Sequence, residues 1–193
     1  VLRNISLSIK KGERIAIVGP TGSGKSTIIK LILRFFELEN GKISIDNINI
    51  KDYSIKNLRS QIALVSQDIF LFADSIYNNI SLFNKKITKQ DVERAAKDIG
   101  ILEFINSLPG GFNYNVKERG VMLSEGQRQL ISFLRAYVSN PKILILDEAT
   151  SSIDSRTEQL IQYATNKIIA GKTSIMPPLT ANSPRCSTWD SRR

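Results

Sequence analysis

An α/β fold with a mainly parallel sheet follows from three features of this 193-residue sequence. Strand-like and helix-like patterns alternate along the chain, the order that produces a parallel sheet with crossover helices. The run ILIL at 143–146 is apolar at every position, as in a strand buried on both faces, and it leads into Asp147 and Glu148. A glycine-rich loop, GPTGSGKST at 19–27, lies between a strand pattern and a helix pattern. Helical periodicity over about 75–140 interrupts the alternation and is expected to form an inserted helical subdomain.

Taken in order, NISLSI and ERIAIVG read as strands separated by the turn signal Lys10-Lys11-Gly12, so antiparallel strands are expected at the N-terminus. From Gly24 on, Ile28, Ile29, Leu31, Ile32 and Phe35 recur at helical spacing and predict a helix to about Phe36. Asn40-Gly41 turns the chain into KISIDNINI, which alternates like a strand, and QIALVSQD is another short strand entering a loop. TKQDVERAAKDIGILEFINSL predicts one helix with Thr88 as its N-cap and Asp91 three residues on, ended by Pro109-Gly110-Gly111. A second helix follows Ser124 and runs to Asn140-Pro141. SRTEQLIQYATNKIIA makes a third, closed by Gly171.

Composition narrows the function classes. The net charge of +9 comes from scattered Lys and Arg without a basic block or aromatic interleaving, so no nucleic-acid partner is expected. The longest apolar run, IIKLILRFF, is broken by Lys30 and Arg34 and falls well short of the roughly 20 residues that a membrane-spanning helix needs. A single cysteine, Cys186, excludes an internal disulfide and suits a reducing compartment. The chain opens on Val1 inside a strand-like pattern and is expected to be part of something longer.

The loop at 19–27 has the spacing G-x-x-x-x-G-K-[ST] of a P-loop nucleoside triphosphatase. Gly22 and Gly24 allow tight backbone, so that successive N–H groups of the loop that also holds Gly19, Pro20, Thr21 and Ser23 converge on phosphate oxygens, Pro20 itself having none to give. Lys25 places a point charge on the terminal phosphates, and Ser26, followed by Thr27, offers a hydroxyl to Mg²⁺ at a helix N-terminus. Asp147 is placed to hold that Mg²⁺ through water, and Glu148 to act as general base on an attacking water.

LSEGQRQ at 123–129 is similar to the signature sequence of the ATP-binding cassette (ABC) proteins, and it lies just upstream of the acidic strand, as in that family. VSQD resembles the Q-loop, with Gln67. SSID resembles the D-loop, with Asp154, and KERG resembles the X-loop of exporters. The resemblance covers roughly residues 1–175 and implies an exporter-type nucleotide-binding domain that hydrolyses ATP for an attached transmembrane domain, at the cytoplasmic face of the cell membrane. It implies a head-to-tail dimer, in which Ser124, Glu125, Gly126 and Gln127 of one copy complete the ATP site of the other. Gln67 would sense Mg²⁺ and the attacking water, while Phe70, Leu71 and Phe72 would either line a groove for coupling helices or pack in the core. Two other readings stay open: a soluble ABC ATPase acting on nucleic acid or ribosomes, and an inactive subunit that completes a partner's site.

The sequence departs from the family in three places. Glu125 stands where glycine is usual; it is expected to point outward. The family's adenine-stacking aromatic would lie upstream of Val1, and ATP binding is expected to be weak. The strand after GKTSI leads in the family to a histidine, but this chain has no histidine and continues with Pro177-Pro178. Residues 176–193 are therefore expected to be an aberrant tail, either disordered or read out of frame. Bases that encode Met-Pro-Pro-Leu, read one position later, can give Cys-His-Arg-Leu. Impaired hydrolysis is expected in consequence.

Overall fold

The computed structural model describes residues 2, 5–20, 22–147, 154–176 and 186–188. The chain forms two compact units, one within residues 1–64, 141–148 and 171–193, the other within 65–140 and 149–170.

The first unit is built on a five-stranded sheet with β1 (Arg14–Val18), β4 (Ile62–Val65), β5 (Ile143–Leu146), β6 (Thr173–Met176) and β7 (Cys186–Thr188), in the order β4-β5-β6-β1-β7. β1 runs parallel to both β6 and β7, and β5 parallel to β6. The register places Ile145, Ile175 and Ile15 side by side across three strands. This row is buried together with Ile29 and Leu33 of the α1 region (Lys25–Ile32) and Leu58 of α2 (Ile55–Ser60). Burial of each such side chain contributes about 1.5–3 kcal/mol, so the row fixes the relative heights of the strands that carry the phosphate loop and the acidic end.

Local chemistry explains where the elements stop. Lys10-Lys11-Gly12 makes the expected turn, with Gly12 at φ +78° and the Glu13 amide donating to the Lys10 carbonyl. α1 ends at Ile32, earlier than its apolar spacing predicts. Arg34 takes φ +50°, its amide donates to Leu31 and that of Phe35 to Lys30, which is a Schellman closure. Phe35 is consequently exposed, with the Arg59 guanidinium 4.6 Å over its ring, and is not a core position.

KISIDNINI is a hairpin, not one strand: β2 (Ser44–Ile45) pairs antiparallel with β3 (Ile48–Asn49). The reversal falls on Asp46 and Asn47, at φ +50° and +66°, the two positive values that a type I′ turn requires. This is the antiparallel pair of the fold. The strand expected at NISLSI does not form over residues 5–9, where Ile5 and Leu7 are 38% and 48% exposed. Alternation alone makes no strand where the backbone has no ladder to join.

The second unit is helical, with α3 (Ile76–Ser81), α4 (Lys89–Asp98), α5 (Leu102–Asn106), α6 (Glu125–Val138) and α7 (Ser155–Ile169). α6 packs against α3, α4 and α7, and Leu130, Ile131 and Leu134 are buried at its centre. Thr88 caps α4 in a capping box with Asp91, as its spacing predicts. The single helix expected from Thr88 to Leu108 is broken at Gly100, which takes φ +78°. Any Cβ there would stand 3.0 Å from the ring of Tyr163, so only glycine lets the chain turn against α7.

Of residues 176–193, Met176 ends β6, and Cys186–Thr188 pair in register with Ala16, Ile17 and Val18. These two places carry regular structure where none was expected. The other tail residues lie outside the described ones.

Candidate functional site

β1 delivers the chain to Gly19, and the loop that follows turns on left-handed backbone at Gly22 (φ +83°) and Gly24 (φ +96°), which glycine adopts without strain. The Ser23 amide donates to the Pro20 carbonyl at 3.1 Å and tightens the turn. α1 starts immediately, and among the described residues no side chain caps it and no acidic residue stands in its first turn. Among the described residues its leading amides are therefore left without a side-chain acceptor, and no acid in the first turn offsets the positive end of the helix dipole. The Ser23 Oγ is buried and lacks a partner among the described residues. Lys25 reaches back over the loop, its Nζ donating to the carbonyls of Gly19 at 2.7 Å and Pro20 at 3.2 Å. Ser26 is exposed beside it, Thr27 is half-buried, and Thr21 lies outside the described residues. These donors converge from backbone, hydroxyl and ammonium, and they suit a ligand with several anionic oxygens in a row.

The acidic half comes from the same end of the sheet. Because Ile145 is level with Ile175 and Ile15, Asp147 emerges beyond β5 on the side where Gly19 leaves β1. Ligands of open parallel sheets bind at this carboxyl edge. Ser26 and Asp147 together offer the hard oxygen donors that Mg²⁺ takes. Glu148 lies outside the described residues.

In the second unit, Gln67 is exposed in the bend after β4. Ser124 caps α6 in a capping box: its Oγ accepts from the Gln127 amide at 3.2 Å, and Gln127 Oε1 accepts from the Ser124 amide at 3.0 Å. Gly126 is buried beneath the turn and Glu125 is exposed, as expected for an outward side chain. Asp154 caps α7, accepting from the Thr157 amide at 2.9 Å, and hydrogen bonds from the Thr157 side chain and backbone hold its carboxyl below the usual range.

The segment Phe70–Leu71–Phe72 alternates. Leu71 is fully buried, whereas Phe70 and Phe72 are 56% and 42% exposed, with their rings edge to face at 5.1 Å. Thus one of the three packs in the core and two form surface. Three of the four residues of KERG have positive φ, with Lys117, Arg119 and Gly120 at +60°, +52° and +69°. A Cβ on Gly120 would come within 2.7 Å of Leu71 Cδ1, so this turn needs glycine to cover Leu71.

Sequence reasoning missed two residues that hold this surface. Asn79 is fully buried; its Oδ1 accepts from the Phe72 amide at 2.8 Å, and its Nδ2 donates to the carbonyls of Phe72 and Ser75, both at 3.0 Å. Arg135 donates through Nε to the Asn79 carbonyl at 2.8 Å and through both Nη atoms to the Phe70 carbonyl at 3.3 Å. A polar residue on the apolar face of each helix was the available signal.

The sequence model of the ABC transporter family matches residues 2–151. The chain is 48% identical over 175 residues to the ABC transporter ATP-binding protein YknV of Bacillus subtilis, covering 91% of this chain and 29% of that protein. It is 49% identical over 178 residues to the ATP-dependent lipid A-core flippase of Pseudoalteromonas translucida, covering 91% of this chain and 31% of that one. A bacterial Atm1-family ABC exporter, solved with ATP bound, superimposes with a TM-score of 0.88 at 38% identity over 98% of this chain and 34% of its own. The chain thus spans about a third of the length of the relatives it matches. The glycine-turned start of α1, the acidic end of β5 and the capped signature helix agree with these matches, and the chain belongs to the ABC transporter family.

Proposed function

We propose that this chain is the ATP-binding and ATP-hydrolysing domain of an exporter, acting at the cytoplasmic face of a membrane for an attached transmembrane domain. The observation that carries this reading is the uncapped start of α1, with Lys25 folded over the carbonyls of Gly19 and Pro20. Lys25 exchanges these neutral acceptors for phosphate oxygens, and the amides of the loop and of the first turn complete the cradle. Ser26 and Asp147 would hold Mg²⁺, which would supply charge neutralisation to the phosphates. Glu148 takes a proton from the attacking water, and Gln67 orients that water.

A second copy is proposed to pack head to tail, presenting Ser124, Gly126 and Gln127 to the phosphates with Glu125 of the same turn pointing away, and with Asp154 capping the start of α7. The Ser124 oxygen accepts within its own helix, while its hydroxyl proton is not used by the capping box. Phe70 and Phe72 are proposed to receive the coupling helices of the transmembrane domain. With no histidine in the chain to contact the γ-phosphate, turnover is expected to be slow.

Binding of a fluorescent ATP analogue with Mg²⁺ tests the reading. Lys25→Ala removes a charged donor and is expected to weaken binding about 10- to 100-fold. Equal binding by both chains would overturn the reading.

A further inference from the structure

The surface formed by Phe70 and Phe72 is bolted to the signature helix at three points. Arg135, eleven residues along α6 from the Ser124 cap, reaches the Phe70 carbonyl with both Nη atoms. Leu71 is enclosed beneath Gly120, whose Cα carries no group that would displace it, and Arg128 of α6 closes the same spot, with its Cδ 3.2 Å from where a Cβ would stand. Asn79 clips Phe72 at both its amide and its carbonyl, and the Asn79 carbonyl is held in turn by Arg135 Nε. Arg135 has three of its donors on two carbonyls, and its burial lowers the guanidinium's pKa from the ordinary value.

Such a connection is stiffer than apolar packing. Hydrogen bonds from a charged donor are stronger than those between neutral groups, and a planar guanidinium fixes the direction of its acceptors as well as their distance. A helix packed on leucines alone could slide by a fraction of a turn while its neighbour stayed put. Here, a shift of α6 must either carry Phe70 and Phe72 with it or break the Arg135 bonds.

We propose that Arg135 and Asn79 are positioning residues, which make the Phe70–Phe72 surface move as one body with α6, so that a displacement imposed at Ser124 by a nucleotide-bound partner copy reaches the surface that docks the membrane domain. This rests on the function proposed above. It goes beyond it in assigning the transmission to two residues that touch neither nucleotide nor partner.

Hydrogen exchange with and without MgATP tests it, in a chain carrying Glu148→Gln so that bound nucleotide persists. Amides 71–74 are expected to exchange at least fivefold more slowly with MgATP. Arg135→Lys keeps the charge but cannot span both carbonyls; it is expected to lose most of that response while nucleotide affinity stays within twofold. Arg135→Gln, which loses the charge as well, should do the same, and a melting curve for each variant separates loss of coupling from loss of fold. An undiminished response in both variants would overturn the proposal, as would saturating nucleotide that leaves amides 71–74 unchanged in the parent. Absence of nucleotide binding in the parent would instead overturn the reading on which it rests, and the proposal with it.

Discussion

Two helix starts in this chain solve the same problem in opposite ways. α1 opens on Gly24, in left-handed backbone, with no side chain over its first turn among the described residues and no acid within it. α6 opens on Ser124, which exchanges hydrogen bonds with Gln127, and carries Glu125 in the first turn. Both begin with amides that the helix itself cannot satisfy. α6 satisfies them from within, at a gain of about 1 kcal/mol in stability. α1 forgoes that gain and keeps its donors for a ligand. The difference separates a helix start left open to a ligand from one already closed by its own side chains.

Substitutions can break or sharpen this contrast. The largest effect is expected from Gly24→Ala. At φ +96° a Cβ costs about 1–2 kcal/mol, and relaxation of that strain re-aims the leading amides of α1. MgATP binding should fall about tenfold or more, as a fluorescent analogue would report, with a melting temperature only a few degrees lower. Ser124→Ala should do the reverse. The fold loses about 1 kcal/mol, read from denaturant midpoints, and nucleotide binding by a single copy is unchanged.

Acid should act on two other capped helix starts, those of α7 and α4, and spare that of α1. Asp154 and Asp91 each cap a helix, and hydrogen bonds from Thr157 and Thr88 hold both carboxyls below the ordinary value of 3.8. A carboxyl depressed in the folded state contributes its stability above the unfolded value and loses it as pH falls through the folded one. Helical content read by circular dichroism should therefore hold to about pH 4 and decline below it, and Asp91→Asn should flatten that decline. The start of α1 has no carboxylate in its first turn to lose. The smallest effect is expected from Glu125→Gln. Removing an exposed charge from the first turn of α6 should cost about 0.3–1 kcal/mol and leave nucleotide-driven pairing, followed by size-exclusion chromatography, unaltered.

The same contrast explains what was legible in the sequence. The phosphate loop and the caps at Thr88 and Ser124 depend on residues within a few positions of one another, and local chemistry fixes them. The turn at Asp46-Asn47 is equally local, and its dipeptide was readable as a type I′ signal inside what looked like a single strand. The strand expected at NISLSI failed over 5–9 for the opposite reason, since alternation specifies a face but not a partner. Phe35 left the core because the helix closed at Ile32, about four residues early. The link from Arg135 to Phe70 spans 65 residues, and no periodicity announces it. Polar side chains that reach across the sequence are where one-dimensional reading stops.

The flanking of β1 by β6 on one side and β7 on the other has a further consequence. A chain ended after Met176 would turn the strand that feeds the phosphate loop into an open border, with a row of amides and carbonyls available to any passing extended segment. The short run Cys186–Thr188 thus shields the ladder, and clumping in solution would be the first sign of its removal.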